Sequence, residues 1–295
     1  MARISRSTPR RAGVELPFRF GQWQLAIPLA AYFACFFLAP IAILVFVSFH
    51  SGNDLTTASP AQYVRFASDG FGWKITAYTI LLGVKTVIVT SFLSYPVALL
   101  YLGGGRLLRR FLLAVIILPL LIGTVVQTFA WVVILGDQGP INNLASWLGL
   151  ISSPIRLLNN EASLVVQLAQ SEMAIMVLAL LTVLLRVDPF LLEASTSLGA
   201  GPWRTLFRII MPLSMPGFAA GAIIVFAGAV SAYFSQAIIG GGRLVYLPQY
   251  MNNQVSVLFN WPFGAALAVV FTLAVLATIT MFALVTRRSA AYVHD

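Results

Sequence analysis

A chain of 295 residues that is 59% hydrophobic and 9% charged, with mean hydropathy +0.91, cannot solvate itself as a soluble domain, which carries about a quarter charged residues. It reads as an integral membrane protein. The formal charge of +9 would suit nucleic acid, but the cations gather at the ends of apolar blocks, which excludes that class of partner. The single cysteine, Cys35, lies inside an apolar block, and His50 and His294 are far apart, so neither a disulfide framework nor a zinc set is supported.

The amino-terminal stretch carries Arg3, Arg6, Arg10, Arg11 and Arg19 ahead of an apolar run over 25–49. That run is much longer than the ~7–15 residues of a signal-peptide core, and no small-x-small site closes it, so it reads as a retained span. Five further blocks, 75–102, 111–135, 162–187, 213–239 and 263–286, have the ~20 residues that cross a bilayer. The expected fold is an all-α membrane protein of six transmembrane helices. Its parts are a basic tail over 1–24, a transmembrane domain over 25–286 and a short tail over 287–295. Pro40, Pro96 and Pro119 fall inside the blocks, where proline is tolerated if neighbours satisfy the freed carbonyl.

Cation placement predicts orientation. The five amino-terminal arginines, Arg106, Arg109, Arg110, Arg186, Arg204, Arg208, Arg287 and Arg288 fall on one side; Arg65, Lys74, Arg156 and Arg243 fall on the other. Both termini and the loop around Glu193 are therefore expected in the cytoplasm. The outer loops, 50–74 and 136–161, are expected to include short helices. Gly240-Gly-Gly-Arg243 permits a tight turn. No Gly-Lys-Ser/Thr follows it or occurs elsewhere, so the chain has no phosphate loop. Energy must come from a partner or an ion gradient.

Residues 188–212 form a polar interval between two apolar blocks. Apolar Trp203, Leu206, Phe207 and Ile210 recur at helical spacing, with Arg204 and Arg208 four apart. This predicts two short helices with a kink at Gly199, Gly201 and Pro202, with Glu193 capping or pinning its helix near the first turn, where negative charge is favoured. Glu193-Ala194, then Gly199, then Ile209 and Pro212 resemble the Glu-Ala-Ala loop of ABC importer permeases: Glu-Ala-Ala, three residues, Gly, nine residues, Ile-x-Leu-Pro. Ser195 stands at the third motif position and Met211 before the proline. The resemblance implies a type I ABC importer permease fold and a coupling helix that docks into a separate ATPase subunit. Glu193, Ala194, Ser195, Leu198, Gly199, Trp203 and Pro212 are the coupling residues so implied, with Leu198 and Trp203 entering a cleft on the ATPase.

The segment from Ser231 to Arg243, followed by Asn260-Trp261-Pro262, is similar to spermidine/putrescine-type permeases. That resemblance implies a second permease chain, two ATPase subunits that bind ATP and magnesium, and a periplasmic solute-binding protein in a bacterial inner membrane. The implied cargo is a polyamine or related small cationic or zwitterionic compound. This chain itself would hold no cofactor and perform no covalent chemistry.

Polar side chains inside spans are costly and mark functional candidates. Glu172 lies mid-span, with Gln167 and Gln170 before it on a different helical face. Either it lines the path and attracts a cation, or it packs as a hydrogen-bonded carboxyl. Gln127 and Trp131 share one face of the third block with Thr124. Tyr233 and Gln236 lie three apart in the fifth block. Aromatic faces can hold an amine, or these groups join helices; both readings stand. Lys85 either pairs with Glu172 or snorkels. The rival functions are an ion-gradient-driven secondary transporter, which should show matched broken spans and several buried acids, and a membrane enzyme, which needs a clustered nucleophile or base.

Overall fold

In hydrocarbon a chain must close its backbone hydrogen bonds internally, which leaves helix as the available state for long apolar runs. The computed structural model describes residues 22–291 and is helical, with no strand among the described residues beyond a bridge between His50 and Ala58. Most of the expected amino-terminal tail, and positions 292–295, lie outside the described residues. The helices in order are α1 (Gln22–Phe33), α2 (Ala39–Ser48), α3 (Ala61–Ser68), α4 (Gly70–Gly103), α5 (Arg106–Leu121), α6 (Thr124–Leu135), α7 (Pro140–Trp147), α8 (Glu161–Leu184), α9 (Pro189–Ser197), α10 (Pro202–Thr205), α11 (Met211–Ser231), α12 (Tyr233–Ile239), α13 (Leu247–Asn252) and α14 (Trp261–Ala291).

Among the described residues, five continuous helices are long and apolar enough to cross a membrane: Ile27–Ser48, α4, α8, Pro202–Ser231 and Trp261–Leu284. The expected third span is instead a bent pair, α5 with the α6–α7 segment, turned by 105°. Pro119 removes a backbone donor near the end of α5, and Ile122 and Gly123 are extended, with ψ of 125° and 142°. The fifth block also departs from one continuous helix. It breaks at Ala232, where ψ is 61°. The side chain of Gln236 answers that break: its fully buried Nε2 donates to Ala229 O at 3.0 Å and Val230 O at 3.1 Å.

Two prolines leave a second signature. π-turns span Ala34–Leu38 and Leu206–Ile210, and each is followed, one residue further on, by a proline, Pro40 or Pro212. The proline has no N–H for the carbonyl four residues back, so the turn before it widens by one residue.

The core is α8 held between α4 and α11. Leu164, Leu168, Met176, Val177 and Leu180 are fully buried on it. On α11, Gly217, Gly221 and Gly228 form a stripe of close approach. A Cβ at Gly217 would meet Ala179 O at 2.6 Å, and one at Gly221 would meet Met176 Sδ at 2.8 Å. Small residues of this kind let helix backbones pack closely in a membrane. Tyr95 of α4 bonds Ser214 of α11 at 2.9 Å. The first span packs differently: none of its apolar window is buried within the chain, and its α2 end meets α14. The loops over 50–74 and 136–161 carry the expected short helices, α3 and α7, and a further one, α13, follows the Gly240–Arg243 turn; Leu247 N donates to Thr79 Oγ1 at 2.9 Å and Asn53 Nδ2 to Phe259 O at 2.6 Å.

Replacing Gln236 with Leu leaves two buried carbonyls without their donor, at about 1–3 kcal/mol. The expected outcome is a lowered unfolding temperature in detergent, read by tryptophan fluorescence, with the conservative Gln236→Asn intermediate.

Candidate functional site

The elbow between the fourth and fifth apolar blocks is built from α9, a four-residue turn and α10. Asp188 caps α9, its Oδ1 accepting from Phe190 N at 3.0 Å. Glu193 therefore does not cap the helix, contrary to the expectation from sequence. It lies a turn further in, exposed, and its backbone carbonyl accepts from the hydroxyls of Thr196 (2.8 Å) and Ser197 (3.0 Å). The helix then closes by two crossed bonds, Gly199 N to Thr196 O and Ala200 N to Ser195 O, both 3.0 Å. This is the Schellman arrangement, which places a left-handed residue just past the helix end. Gly199 has φ +74°, and nothing lies within 4 Å of where its Cβ would be. The demand for glycine here is conformational and not steric.

Ser195, at the motif position where alanine is usual, has a specific partner. Its Oγ lies 2.9 Å from Thr205 Oγ1, and both residues are buried. That bond clasps α9 to α10 across the kink. The second short helix expected from sequence is not separate: α10, the π-turn and α11 run unbroken from Pro202 to Ser231. Pro212 sits at the widened turn, and Ala194 is exposed on α9. Leu198 is 87% exposed and Trp203 71% exposed. Trp203 stacks on Phe207, with centroids 6.1 Å apart and planes at 18°, and both line the mouth of an apolar cleft between α4, α11 and α14. Leu198 is not among that cleft's walls.

Within the bundle, the candidate path residues fall in separate places. Gln127 and Trp131 of α6 converge on one acceptor, Gln170 Oε1 of α8, at 2.8 and 3.1 Å. Gln170 is the member sequence reasoning left out of this set; two donors four residues apart facing one helix were the available signal. Gln236 is turned to the helix break, and Tyr233 donates to Asn252 Oδ1 at 3.2 Å. Glu172 stands apart from these. Its carboxylate occupies the slot left by Gly228, where a Cβ would meet Cδ at 2.8 Å and Oε2 at 2.9 Å. It has no hydrogen bond or ion pair among the described residues. Lys85 pairs with neither Glu172 nor solvent alone: its Nζ lies 2.8 Å from Glu161 Oε1.

Comparison with known proteins follows from this geometry. Residues 94–290 match the family described as binding-protein-dependent transport system inner membrane component. The chain is 30% identical over 190 residues to the spermidine/putrescine transport system permease protein PotB of Haemophilus influenzae, covering 64% of this chain and 66% of that one. It is 24% identical over 253 residues to PotB of Escherichia coli, covering 84% and 92%. A molybdenum transport system permease, ModB of Azotobacter vinelandii, is 31% identical over 163 residues, covering 55% and 70%. Among solved structures, a bacterial ABC transporter that imports alginate superposes with TM-score 0.74 at 17% identity, covering 90% of this chain and 94% of that one. The fold is that of type I ABC importer permeases.

The Gly228 slot yields a test. Gly228→Ala forces the Glu172 carboxylate aside and lowers stability by about 1–3 kcal/mol, the usual range for overpacking. In a Glu172→Ala background the same change costs less than half as much. Thermal unfolding of the four proteins reads the coupling.

Proposed function

The chain belongs to the family of binding-protein-dependent transport system inner membrane components, non-enzymatic permease subunits of ABC importers, and on that premise we propose that it passes a small cationic solute, a polyamine by preference, across the bacterial inner membrane. Its termini and elbow lie in the cytoplasm. Two ATPase subunits bind ATP and magnesium there, a second permease chain completes the path, and a periplasmic binding protein delivers the cargo.

The observation that carries the coupling role is the elbow itself. α9, closed by Gly199, is clasped through Ser195 and Thr205 to α10, and α10 is continuous with a membrane-crossing helix. Force applied at α9 by an ATPase reaches α11 through that clasp and the short turn beside it. Glu193, Ala194 and Leu198 offer the exposed contact face, while Trp203 and Pro212 fix how α10 enters the membrane. For the cargo, the support is the likeness to spermidine/putrescine permeases together with a carboxylate that lacks a cation of its own, Glu172. Gln127 and Trp131, held by Gln170, sit on a different face of α8 from Glu172, with Tyr233 and Gln236 toward the outer end.

Two measurements test this. Purified with its ATPase and binding protein in vesicles, the wild-type complex takes up spermidine or putrescine on ATP addition. Glu172→Gln lowers that uptake about tenfold, the loss of one charge-assisted contact; unchanged uptake removes Glu172 from the path. At the elbow, Gly199→Val cannot reach positive φ without a cost of about 1–3 kcal/mol. It leaves ATP hydrolysis running but depresses uptake about tenfold, whereas Gly199→Asn, which tolerates that conformation, keeps most of both. Equal transport by the two variants rejects the elbow as the coupling element.

A further inference from the structure

Two cavities lie one above the other along α4. The outer one, about 450 Å³, gathers Lys74, Lys85 and Arg243 around a single carboxylate, Glu161, with Tyr78 and Tyr246 in its walls. Lys74 Nζ sits 5.7 Å from the Tyr78 ring, and Lys85 is bonded to Glu161 at 2.8 Å. Arg243 is held in place by an ordered turn: its N–H donates to Gly240 O at 3.2 Å, and Gly241, at φ +57°, packs directly on Asn159. Three cations facing one acid leave an excess of positive charge.

The lower cavity is the apolar cleft, about 1010 Å³, walled by α4, α11 and α14. Its hydroxyls make no demand on an occupant. Ser91 Oγ donates to Val87 O, Thr278 Oγ1 donates to Ala274 O, and Tyr95 OH is bonded to Ser214. A polar cargo would find no free partner among them; a hydrocarbon chain would need none. The two cavities share one face of α4. Tyr78, Leu81 and Lys85 wall the upper one, Ile88 and Phe92 continue the stripe into the lower one, and Ile88 is 63% and Phe92 77% exposed.

Depth agrees with this arrangement. At 1.5 Å per residue Lys85 lies about 27 Å along α4 from Gly103, close to the ~30 Å thickness of the hydrocarbon layer. Glu161, its partner, opens α8. The cationic pocket therefore falls at headgroup level, with aromatic rings where interfacial aromatics are favoured, and the apolar cleft falls in the acyl layer.

We infer that this chain carries a site for an anionic phospholipid, whose phosphate enters the pocket of Lys74, Lys85 and Arg243 and whose acyl chain lies in the cleft beside Ile88 and Phe92. The inference needs only that the chain spans a membrane and is independent of the cargo; the cleft shares Trp203 and Phe207 with the elbow, and the test changes neither.

The test uses the complete importer complex purified from membranes and exchanged into nanodiscs containing phosphatidylcholine with or without phosphatidylglycerol. Native mass spectrometry then counts retained lipid. Wild type is expected to retain phosphatidylglycerol over phosphatidylcholine. Lys74→Gln with Arg243→Gln, which spares the Lys85–Glu161 pair, lowers that retention about 30-fold for the loss of two cations near the surface. Ile88→Trp, which fills the cleft from an exposed position and leaves the charges intact, lowers it as well and serves if the charge variant fails to assemble. Equal retention of the two lipids, unchanged retention in both variants, or thermal stabilisation by inorganic phosphate equal to that by phosphatidylglycerol overturns the proposal. A map of the complex with a helix of the second permease seated in the cleft also overturns it.

Discussion

Inside a bilayer a backbone carbonyl that loses its helical donor has no water to turn to, and the shape of this bundle follows from how each such loss is met. At Pro40 and Pro212 the chain widens a turn by one residue. At Ala232 it breaks outright, and Gln236 supplies the missing donor from its side chain. At Ile122 and Gly123 it turns through a large angle and restarts at Thr124. These answers set where α6, α10 and α12 point, and so where Gln127, Trp203 and Tyr233 come to lie. The uninterrupted helices, α4 and α8, provide the frame against which the interrupted ones are placed.

The elbow shows the same economy at the membrane edge. Glycine at position 199 is required by its left-handed backbone, while Ser195 and Thr205 close the corner with a buried bond between hydroxyls. An alanine at position 195 would keep the helix but not that bond. The departure from the family pattern at this residue is thus a local substitution of one way of packing α9 on α10 for another. Because α10 passes into α11 through a π-turn and not through a loop, the corner and the fifth span form one body.

Much of this was legible in the residues. Hydropathy alone located the apolar blocks, and the spacing from Glu193 to Pro212 identified the elbow before any coordinates, because both rest on local pattern. What stayed hidden depended on contacts between distant segments or on backbone choices that several residues make jointly. Lys85 and Glu172 are both mid-block charges and so suggest a pair, yet α8 begins beside Lys85, and it is Glu161 that reaches it. The negative charge of Glu193 suggests it as the capping or pinning group, but Asp188, just ahead of Pro189, is the residue whose side chain caps the helix. Apolarity over 111–135 and 213–239 continues unbroken through Gly123 and Ala232, so composition could not reveal the breaks there. The Gly217, Gly221 and Gly228 stripe was present at spacings of four and seven; its meaning required knowing that α8 lies opposite.

The slot around Glu172 has one wall on α8 and the other on α11. Its width is a gauge of how those two helices cross, measured at a single missing methyl group. Gly228 stands on the same rod as Pro202, about 39 Å away at 1.5 Å per residue. A few degrees of tilt at the far end would alter the clearance for one carboxylate deep in the bundle, because the second wall of its slot rides on that rod.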